Sequence, residues 1–262
     1  MAREFVAANL DRLELDSAPV TAYPFTFACW VRPDRNTAQE TLIYIGDKDV
    51  DNFHSWQLRI NGDVAGDPFR FRTVAGGGSN SASTTTGFSI DTWHHACGVA
   101  TSGTLRAVFI DGGSKGTITT SATPAGSDRI SVGREGDSIP ANYFDGRIAE
   151  VTIWNVALSD AEVAALASRV SQIRVRPQSI VFYAPLFGVG SPEPDYTSGV
   201  RHLTVTGAVL ANHAPVAMPW FRDNGWQGAF TAAGAPAGQP YMPRGQGQPT
   251  AAGYRDRPAR WN

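Results

Sequence analysis

The chain has 262 residues, of which 42% are hydrophobic and 18% charged, and it contains 27 glycines and 17 prolines. This hydrophobic content is enough for a sizeable core, and the many glycines and prolines predict many turns. The formal net charge of −2 excludes a general electrostatic attraction to nucleic acid or to an acidic membrane surface. We therefore expect neither nucleic acid nor a membrane among its partners.

The beginning of the chain shows no basic segment followed by an apolar core, so no signal peptide is predicted. No run of about 18 apolar residues predicts a transmembrane helix. We expect a soluble protein that is made in the cytoplasm.

Alternating apolar residues predict several β-strands. In the clearest of them, 25–31, Phe25, Phe27, Cys29 and Val31 face one way. Residues 4–15 predict an entry strand or hairpin, whereas the low-complexity run 75–87 predicts a flexible loop. Further strands are predicted at 41–45, 56–60, 69–74, 105–110, 115–119, 129–132, 180–186 and 203–207.

Residues 145–170 predict a strand that leads into a helix. Within the strand 148–154, the alternation places Ala149, Val151 and Ile153 on one face. Ser159 and Glu162 then have the spacing of a capping box. The sequence therefore predicts one short helix near 160–169.

This strand, followed by Asn155-x-Ala157-Leu158-Ser159 and a capped helix, resembles the laminin-G-like jelly rolls of the concanavalin A-like lectin/glucanase superfamily. Two other segments occur in the family order, PFTFACWV at 24–31 and WHHAC at 93–97 followed by AVFIDG at 107–112. The resemblance covers residues 1–216 and implies an all-β antiparallel sandwich. Segments 183–186 and 195–199 look similar to a strand and loop that come first in most such modules, which predicts a circularly permuted edge.

An acidic loop at 47–52 offers Asp47, Asp49 and Asp51 as candidate Ca²⁺ ligands, because calcium prefers carboxylate oxygens. A solvated acidic hairpin loop is the alternative interpretation. No other cofactor is expected.

The two histidines at 94–95 and the two cysteines are interpreted mainly as structural. Adjacent strand residues point to opposite faces, so His94 and His95 cannot bind one metal from the same side. The resemblance implies that this segment is a packing feature of the sandwich. Cys29 and Cys97 lie in apolar strands and are interpreted as buried thiols, with a bridge or a reactive thiol as the alternatives.

No catalytic motif is complete. The glucanase branch of the superfamily uses an E-x-D-x-E or E-x-D-x-x-E set of carboxylates. Here Glu135-x-Asp137 and Glu14-x-Asp16 both lack the second Glu, and neither G-x-S-x-G nor H-E-x-x-H occurs. We expect the protein not to be an enzyme.

Residues 217–262 differ in composition, with six Pro and seven Gly, five Arg and two Asp. They have no periodic apolar face and cannot form a core of their own. We predict an extended arm that binds a partner through spaced aromatic and arginine residues, which dominate binding hot spots. These are Trp220, Phe221, Arg222, Trp226, Phe230, Tyr241, Tyr254 and Trp261.

Two functions fit the sequence. The first is a non-enzymatic structural protein of a phage virion, such as a capsid decoration, tail or fibre component, whose arm binds other virion proteins or neighbouring subunits. The second is a carbohydrate-binding, lectin-like adhesin for cell-surface glycans, in which Trp56 or Tyr143 stacks on a sugar. A glycosidase is the third and least favoured function.

Overall fold

The computed structural model describes residues 1–188 and 190–217, which contain fifteen β-strands and one α-helix. Short 3₁₀ turns lie at Ala7–Asn9, Gln172–Arg174 and Pro177–Ser179. The strands and the α-helix are β1 (Ala2–Phe5), β2 (Arg12–Leu15), β3 (Phe25–Pro33), β4 (Gln39–Gly46), β5 (His54–Asn61), β6 (Pro68–Ala75), β7 (Gly78–Gly87), β8 (His94–Ser102), β9 (Leu105–Ile110), β10 (Gly113–Ile118), β11 (Arg129–Val132), β12 (Gly146–Trp154), α1 (Asp160–Ala167), β13 (Ile180–Ala184), β14 (Thr204–Thr206) and β15 (Val209–Ala211).

The strands form two sheets, and neighbouring strands pair antiparallel throughout. The first sheet has the order β10-β9-β8-β3-β12-β1-β15, and β13 also pairs with β12. The second sheet has the order β14-β2-β11-β4-β5-β6-β7. The predicted two-sheet sandwich with one short helix is confirmed. Within the described part of the chain, no helix has the length and apolarity needed to cross a membrane.

The core lies between the two sheets and follows from the period-2 alternation of their strands. On β3, Phe25, Phe27 and Cys29 belong to the core together with Trp56 and Phe71 of the second sheet. Ala28 and Trp30 point to the opposite side and join other apolar clusters. The alternation predicted for this strand is therefore confirmed.

The outer face of the first sheet is covered by the chain itself. Val163 and Leu166 of α1 pack against Trp154 and Phe109. Farther along the same face, Ala214 of the C-terminal described segment packs near Trp30. These segments leave the outer face of the second sheet uncovered by α1 and by the C-terminal described segment.

The predicted alternation along β12 is wrong at Ala149. Ile148, Val151 and Ile153 belong to the central core, whereas Ala149 lies in a separate outer cluster. The pairing of β12 with β3 shifts register between Ala149 and Thr152, and Glu150 has a φ of 57°. A β-bulge at this point adds one residue, which reverses the inward and outward positions on one side of it.

Strand pairing makes one further prediction wrong and decides between the two alternatives of another. Residues 75–87 were predicted as a flexible loop, yet Gly78–Gly87 form β7, which pairs with β6 at the edge of the second sheet. Backbone hydrogen bonds and the burial of Ala82 and Thr84 compensate for the lack of large apolar side chains. Residues 4–15, predicted as an entry strand or a hairpin, contain parts of two strands, and these do not form a hairpin because β1 and β2 belong to different sheets.

The predicted closing strand near 180–186 is present as β13, which pairs with residues 151–154 of β12. Strand β1 pairs with residues 146–148 of β12. Segments from opposite ends of the described chain therefore complete the same sheet.

The cap of α1 matches the prediction. The Ser159 side chain accepts a hydrogen bond from the Glu162 amide, and the Glu162 carboxylate accepts one from the Ser159 amide. We expect Ser159→Ala to lower the free energy of unfolding by about 1 kcal/mol, since the cap satisfies amides that have no partner within the helix.

Urea unfolding of the two proteins measures this effect. Ser168→Ala, at the other end of the same helix, is the matched control and should cost less. Equal effects of the two substitutions would contradict the assigned cap.

Candidate functional site

The outer face of the second sheet is polar at its centre. Along β5, Trp56, Leu58 and Ile60 point into the core. The alternate residues Gln57, Arg59 and Asn61 therefore point outward, and all three are nonetheless buried. Burial of so many polar groups on one face indicates that neighbouring segments cover it.

Two loops fold over this face and leave a pocket between them. One loop joins β4 to β5, and the other joins β11 to β12. The pocket has a volume of about 270 Å³ and opens to solvent. It is lined by Gln39, Asp51, Asn52, Arg59, Arg72, Glu135, Asp137, Ile139, Ala141 and Asn142.

Glu135 is held at the pocket by three donors. One carboxylate oxygen accepts hydrogen bonds from Gln57 Nε2 at 2.7 Å and Arg72 Nη1 at 3.1 Å. The other oxygen accepts from Asn142 Nδ2 at 2.6 Å. Arg72 also donates to Asn52 Oδ1 at 2.7 Å. This network connects both loops to the sheet and fixes the shape of the pocket before any ligand binds.

Asp137 is a second carboxylate in the same wall and is only 3% exposed. Its two oxygens accept from the backbone amides of Asn52 and Ile139, each at 3.1 Å. Burial raises the pKa of Asp137, and these two hydrogen bonds act in the opposite direction. The wall thus contains two carboxylates with different surroundings.

Arg59 lies in the same pocket without a hydrogen-bond partner among the described residues. Its side chain is buried, and the Nε and Nη2 atoms are both unpaired there. Burial lowers the pKa of Arg59 to about 10, with smaller contributions from the charges of Glu135 and the neighbouring arginines. The guanidinium group remains a cation at neutral pH.

The pocket combines hydrogen-bond donors, acceptors and two apolar residues, Ile139 and Ala141. Ile139 is 63% exposed at the rim. Convergent polar groups on a preformed concave surface are typical of small-molecule sites. This set is suited to a ligand that carries several hydroxyl groups and an apolar ring face.

The prediction that Trp56 stacks on a sugar is wrong. Trp56 is fully buried in the core, and its Nε1 donates to Tyr23 Oη at 2.9 Å. A large apolar side chain on the inward side of a central strand packs between the sheets. Tyr143 is half-buried, accepts from Arg134 Nη1 at 3.1 Å and does not line the pocket. Sugar stacking by Tyr143 stays a prediction.

The three predicted calcium ligands lie in two different places. Asp47 and Asp49 lie beside Asp128, and one oxygen of each falls within 4.8 Å of the others. Asp51 lines the pocket instead. Lys48 Nζ lies 2.6 Å from Asp128 and 3.0 Å from Asp49, so one ammonium group already offsets part of the negative charge of this cluster. Calcium binding stays a prediction, which melting curves with calcium and with EDTA test.

The histidine pair lies on opposite faces, as predicted. His94 Nδ1 is 2.7 Å from Asp111 Oδ2, and Nε2 is 3.2 Å from Ser89 Oγ. This connectivity is similar to a Ser-His-Asp catalytic triad. However, Nε2 also accepts from the Ser89 backbone amide at 3.1 Å, so the imidazole joins the turn before β8 to the turn after β9.

His95 is fully buried beside Trp30, with 5.4 Å between the ring centroids. Burial lowers the pKa of His95 to about 4, below the value of about 6.5 in an unfolded chain. The unfolded chain therefore binds the proton more readily, and stability is lost as the pH falls from about 6.5 toward 4. At pH 5 the contribution of His95 is a loss of about 2 kcal/mol.

Urea unfolding of the wild type and His95→Phe at pH 7 and pH 5 measures this contribution. The wild type should lose about 2 kcal/mol more than the variant between these pH values. An equal loss in the two proteins would contradict a neutral buried His95.

Cys29 and Cys97 are buried free thiols, as predicted. Burial raises the pKa of both, which disfavours a reactive thiolate. Cys29 belongs to the central core and Cys97 to the cluster under α1, so they point to opposite faces of the first sheet. A bridge between them is excluded by this arrangement.

Sequence reasoning missed Arg59 and Arg72 as pocket residues and Gln57 as a hydrogen-bond donor to Glu135. A signal was present, because the alternation in WQLRIN and FRFRTV places polar residues of two successive strands on one face. Glu135 and Asp137 were considered only as an incomplete glucanase set. The predicted partner-binding residues from Trp220 to Trp261 lie outside the described residues.

Comparison with known proteins identifies a family and several similar folds. The family model described as the concanavalin A-like lectin/glucanases superfamily matches residues 8–164, more than half of the chain. No curated protein sequence matches the chain.

Three solved structures illustrate the similarity of the fold. A putative carbohydrate binding protein from Bacteroides ovatus ATCC 8483 has a TM-score of 0.57 at 19% identity, covering 82% of this chain and 61% of that one. The Ruminococcus gnavus IT-sialidase CBM40 bound to α2,3 sialyllactose has a TM-score of 0.50 at 16% identity, covering 56% and 84%. The enzymatically active domain of Bacteriophage CBA120 tailspike protein 2 has a TM-score of 0.55 at 15% identity, covering 70% and 29%.

Proposed function

Because the chain belongs to the concanavalin A-like lectin/glucanases superfamily, we propose that it binds carbohydrate in the pocket on the outer face of the second sheet. The pocket itself is the observation that carries this proposal. Sugar hydroxyls both donate and accept hydrogen bonds, so a sugar site needs fixed groups of both kinds. Glu135 and Asp137 accept, whereas Arg59 and Asn52 offer donors.

The rim of the pocket supports the same ligand class. Ile139 is exposed beside the polar wall and can cover the apolar face of a sugar ring. Two of the structures with a similar fold have carbohydrate binding in their descriptions, the Bacteroides ovatus protein and the sialyllactose-bound CBM40.

We propose a binding role without catalysis. Glycosidases generally use two carboxylic groups, one of which is free to act as nucleophile or base. Here both oxygens of Glu135 accept hydrogen bonds from side-chain donors. Both oxygens of Asp137 accept hydrogen bonds from backbone amides. Such carboxylates are suited to orienting hydroxyl groups.

A glycan array probed with the full chain tests this function. We expect selective binding to a subset of glycans, and loss of that binding in Ile139→Trp because the larger ring obstructs the pocket. Ile90→Trp is the matched control, since Ile90 is also exposed and does not line the pocket. Loss of binding in both variants, or in neither, would contradict binding at this pocket.

A second proposal concerns the composition of residues 217–262, which lie outside the described residues. We propose that this arm attaches the domain to a multi-subunit particle, such as a phage virion, where the jelly roll would be displayed. This proposal rests on the sequence, in which arginine and tryptophan recur without an apolar periodicity.

Deletion of residues 217–262 tests attachment by the arm. The truncated protein should melt cooperatively and no longer copurify with particles. Retained copurification would place the attachment in the sandwich, and loss of folding would make the arm part of the core.

A further inference from the structure

Arg59 is the least compensated charge in the pocket. Arg59 is only 3% exposed, and neither its Nε nor its Nη2 atom has a hydrogen-bond partner among the described residues. A buried charge without a partner is strongly destabilising, and buried arginines are normally paired. A site that retains such a cation without a protein partner favours an anionic group of a ligand.

The strand pairing reinforces this positive charge. Arg70 of β6 lies directly opposite Arg59 of β5. Like charges at directly opposed positions destabilise a sheet. The Nε atom of Arg70 is also unpaired among the described residues.

Arg72 differs from these two arginines. Its guanidinium group donates to Glu135 and to Asn52. Arg72 is therefore hydrogen-bonded to a protein carboxylate, whereas Arg59 is close enough to be influenced by the charge of Glu135 but has no hydrogen bond to it.

We propose that Arg59 binds the carboxylate of an acidic sugar unit, an inference that rests on carbohydrate binding as the proposed function. A guanidinium group presents parallel N–H donors that match the two oxygens of a carboxylate. The ligand is thus a saccharide that carries a uronic-acid or sialic-acid type of carboxyl group.

The remainder of the pocket selects against a more highly charged anion. Asp51, Glu135 and Asp137 line the same cavity. These carboxylates accept hydrogen bonds from hydroxyl groups but repel a phosphate dianion. A ligand with one negative charge and several hydroxyl groups fits both the Arg59 side and the carboxylate side of the pocket.

The size of the cavity limits how many sugar units of a saccharide can bind in it. Its volume of about 270 Å³ lies just below the range of roughly 300–1,000 Å³ found for sites that bury drug-sized ligands. One sugar unit, and not an extended chain, occupies the pocket.

Calorimetric titration of the full chain tests this proposal with defined probes. The acidic probes are oligosaccharides that end in glucuronate or N-acetylneuraminate, and the neutral probes end in glucose or galactose. We expect at least one acidic probe to bind about tenfold or more tightly than its neutral counterpart, as expected for a charge-assisted hydrogen bond. Arg59→Gln should abolish this preference, and Arg59→Lys should retain part of it.

Arg32→Gln is the matched control, because Arg32 lies in the first sheet and pairs with Asp34 and Asp91 outside the pocket. This variant should keep the acidic preference. The melting temperature supplies a second measurement that does not need the correct saccharide. Without ligand, Arg59→Gln should melt at a higher temperature than the wild type, since the substitution removes the free-energy cost of burying an unpaired charge.

The outcomes separate the two proposals. Binding of neutral probes as tightly as acidic ones, with Arg59→Gln unchanged, overturns the acidic-sugar inference and leaves carbohydrate binding intact. If no saccharide binds while acetate raises the melting temperature only when Arg59 is present, the anion site stands and carbohydrate binding fails. A lower melting temperature of Arg59→Gln, together with no response to acetate, makes Arg59 a structural residue and overturns the inference.

Discussion

Arg3→Met is expected to lower the free energy of unfolding by about 3–5 kcal/mol, because it leaves a buried carboxylate without its partner. Arg3 lies on β1 and is 4% exposed, and Glu193 is fully buried. Arg3 Nε donates to Glu193 Oε2 at 2.9 Å. The same guanidinium group donates to the carbonyl oxygens of Gly188, Gly190 and Ala208.

These contacts join the first strand to the last described part of the chain. The segment that follows β13 has little regular structure, and Glu193 pairs there with the backbone of Leu203. Arg3 therefore supplies a buried polar link between this segment and the sandwich, in addition to the pairing of β14 with β2 and of β15 with β1.

Urea unfolding of the wild type, Arg3→Met and the double variant Arg3→Met/Glu193→Gln measures the effect. Neutralising Glu193 should recover part of the lost stability, because the unpaired charge is then removed. Arg12→Met is the control, since its ion pair with Glu14 is partly exposed and is worth about 0–1 kcal/mol. A loss below about 1 kcal/mol in Arg3→Met would contradict the assigned role.

Trp56→Ala is expected to lower the free energy of unfolding by about 3–5 kcal/mol. The Trp56 ring fills the centre of the core, with its centroid 5.1 Å from Phe25 and 5.5 Å from Tyr23. Removal of the indole would leave a cavity, and the Tyr23 hydroxyl group would keep only its hydrogen bond to the Ala122 carbonyl oxygen. This stability loss follows from the core position of Trp56.

Trp56→Phe separates the core role of this residue from the sugar-stacking role first predicted. Phenylalanine preserves most of the packing, so the variant should fold and keep the glycan binding of the wild type. Glycan affinity and unfolding are measured on the same preparations. Loss of glycan binding in a folded Trp56→Phe would show that the indole contributes to the site.

The fold was predictable where local pattern and long-range pairing agree. The alternation in 25–31 and the capping box at Ser159 need only the sequence, and both predictions are confirmed. β7 was missed because its strand conformation depends on pairing with β6 and not on its own composition. The bulge at Glu150 was missed because Ile148 and Ala149 are both apolar, so the sequence does not show where the alternation reverses.

The pocket was less predictable because it depends on contacts between distant segments. Arg59 and Glu135 are far apart in sequence, and only the sheet order brings them to one cavity. Alternation shows that Arg59 points away from Trp56, but not which loop covers it. The same limitation explains why Asp128, and not Asp51, lies beside Asp47 and Asp49.

Carbohydrate binding in this pocket is tested most directly by NMR chemical-shift mapping of the ¹⁵N-labelled chain with a glycan that it binds on the array. The pocket predicts that the largest shifts fall on amides of residues 51–52 and 135–142 and on the Arg59 side chain. Shifts concentrated on the first sheet or on residues 217–262, with those amides unchanged, would contradict the proposed site.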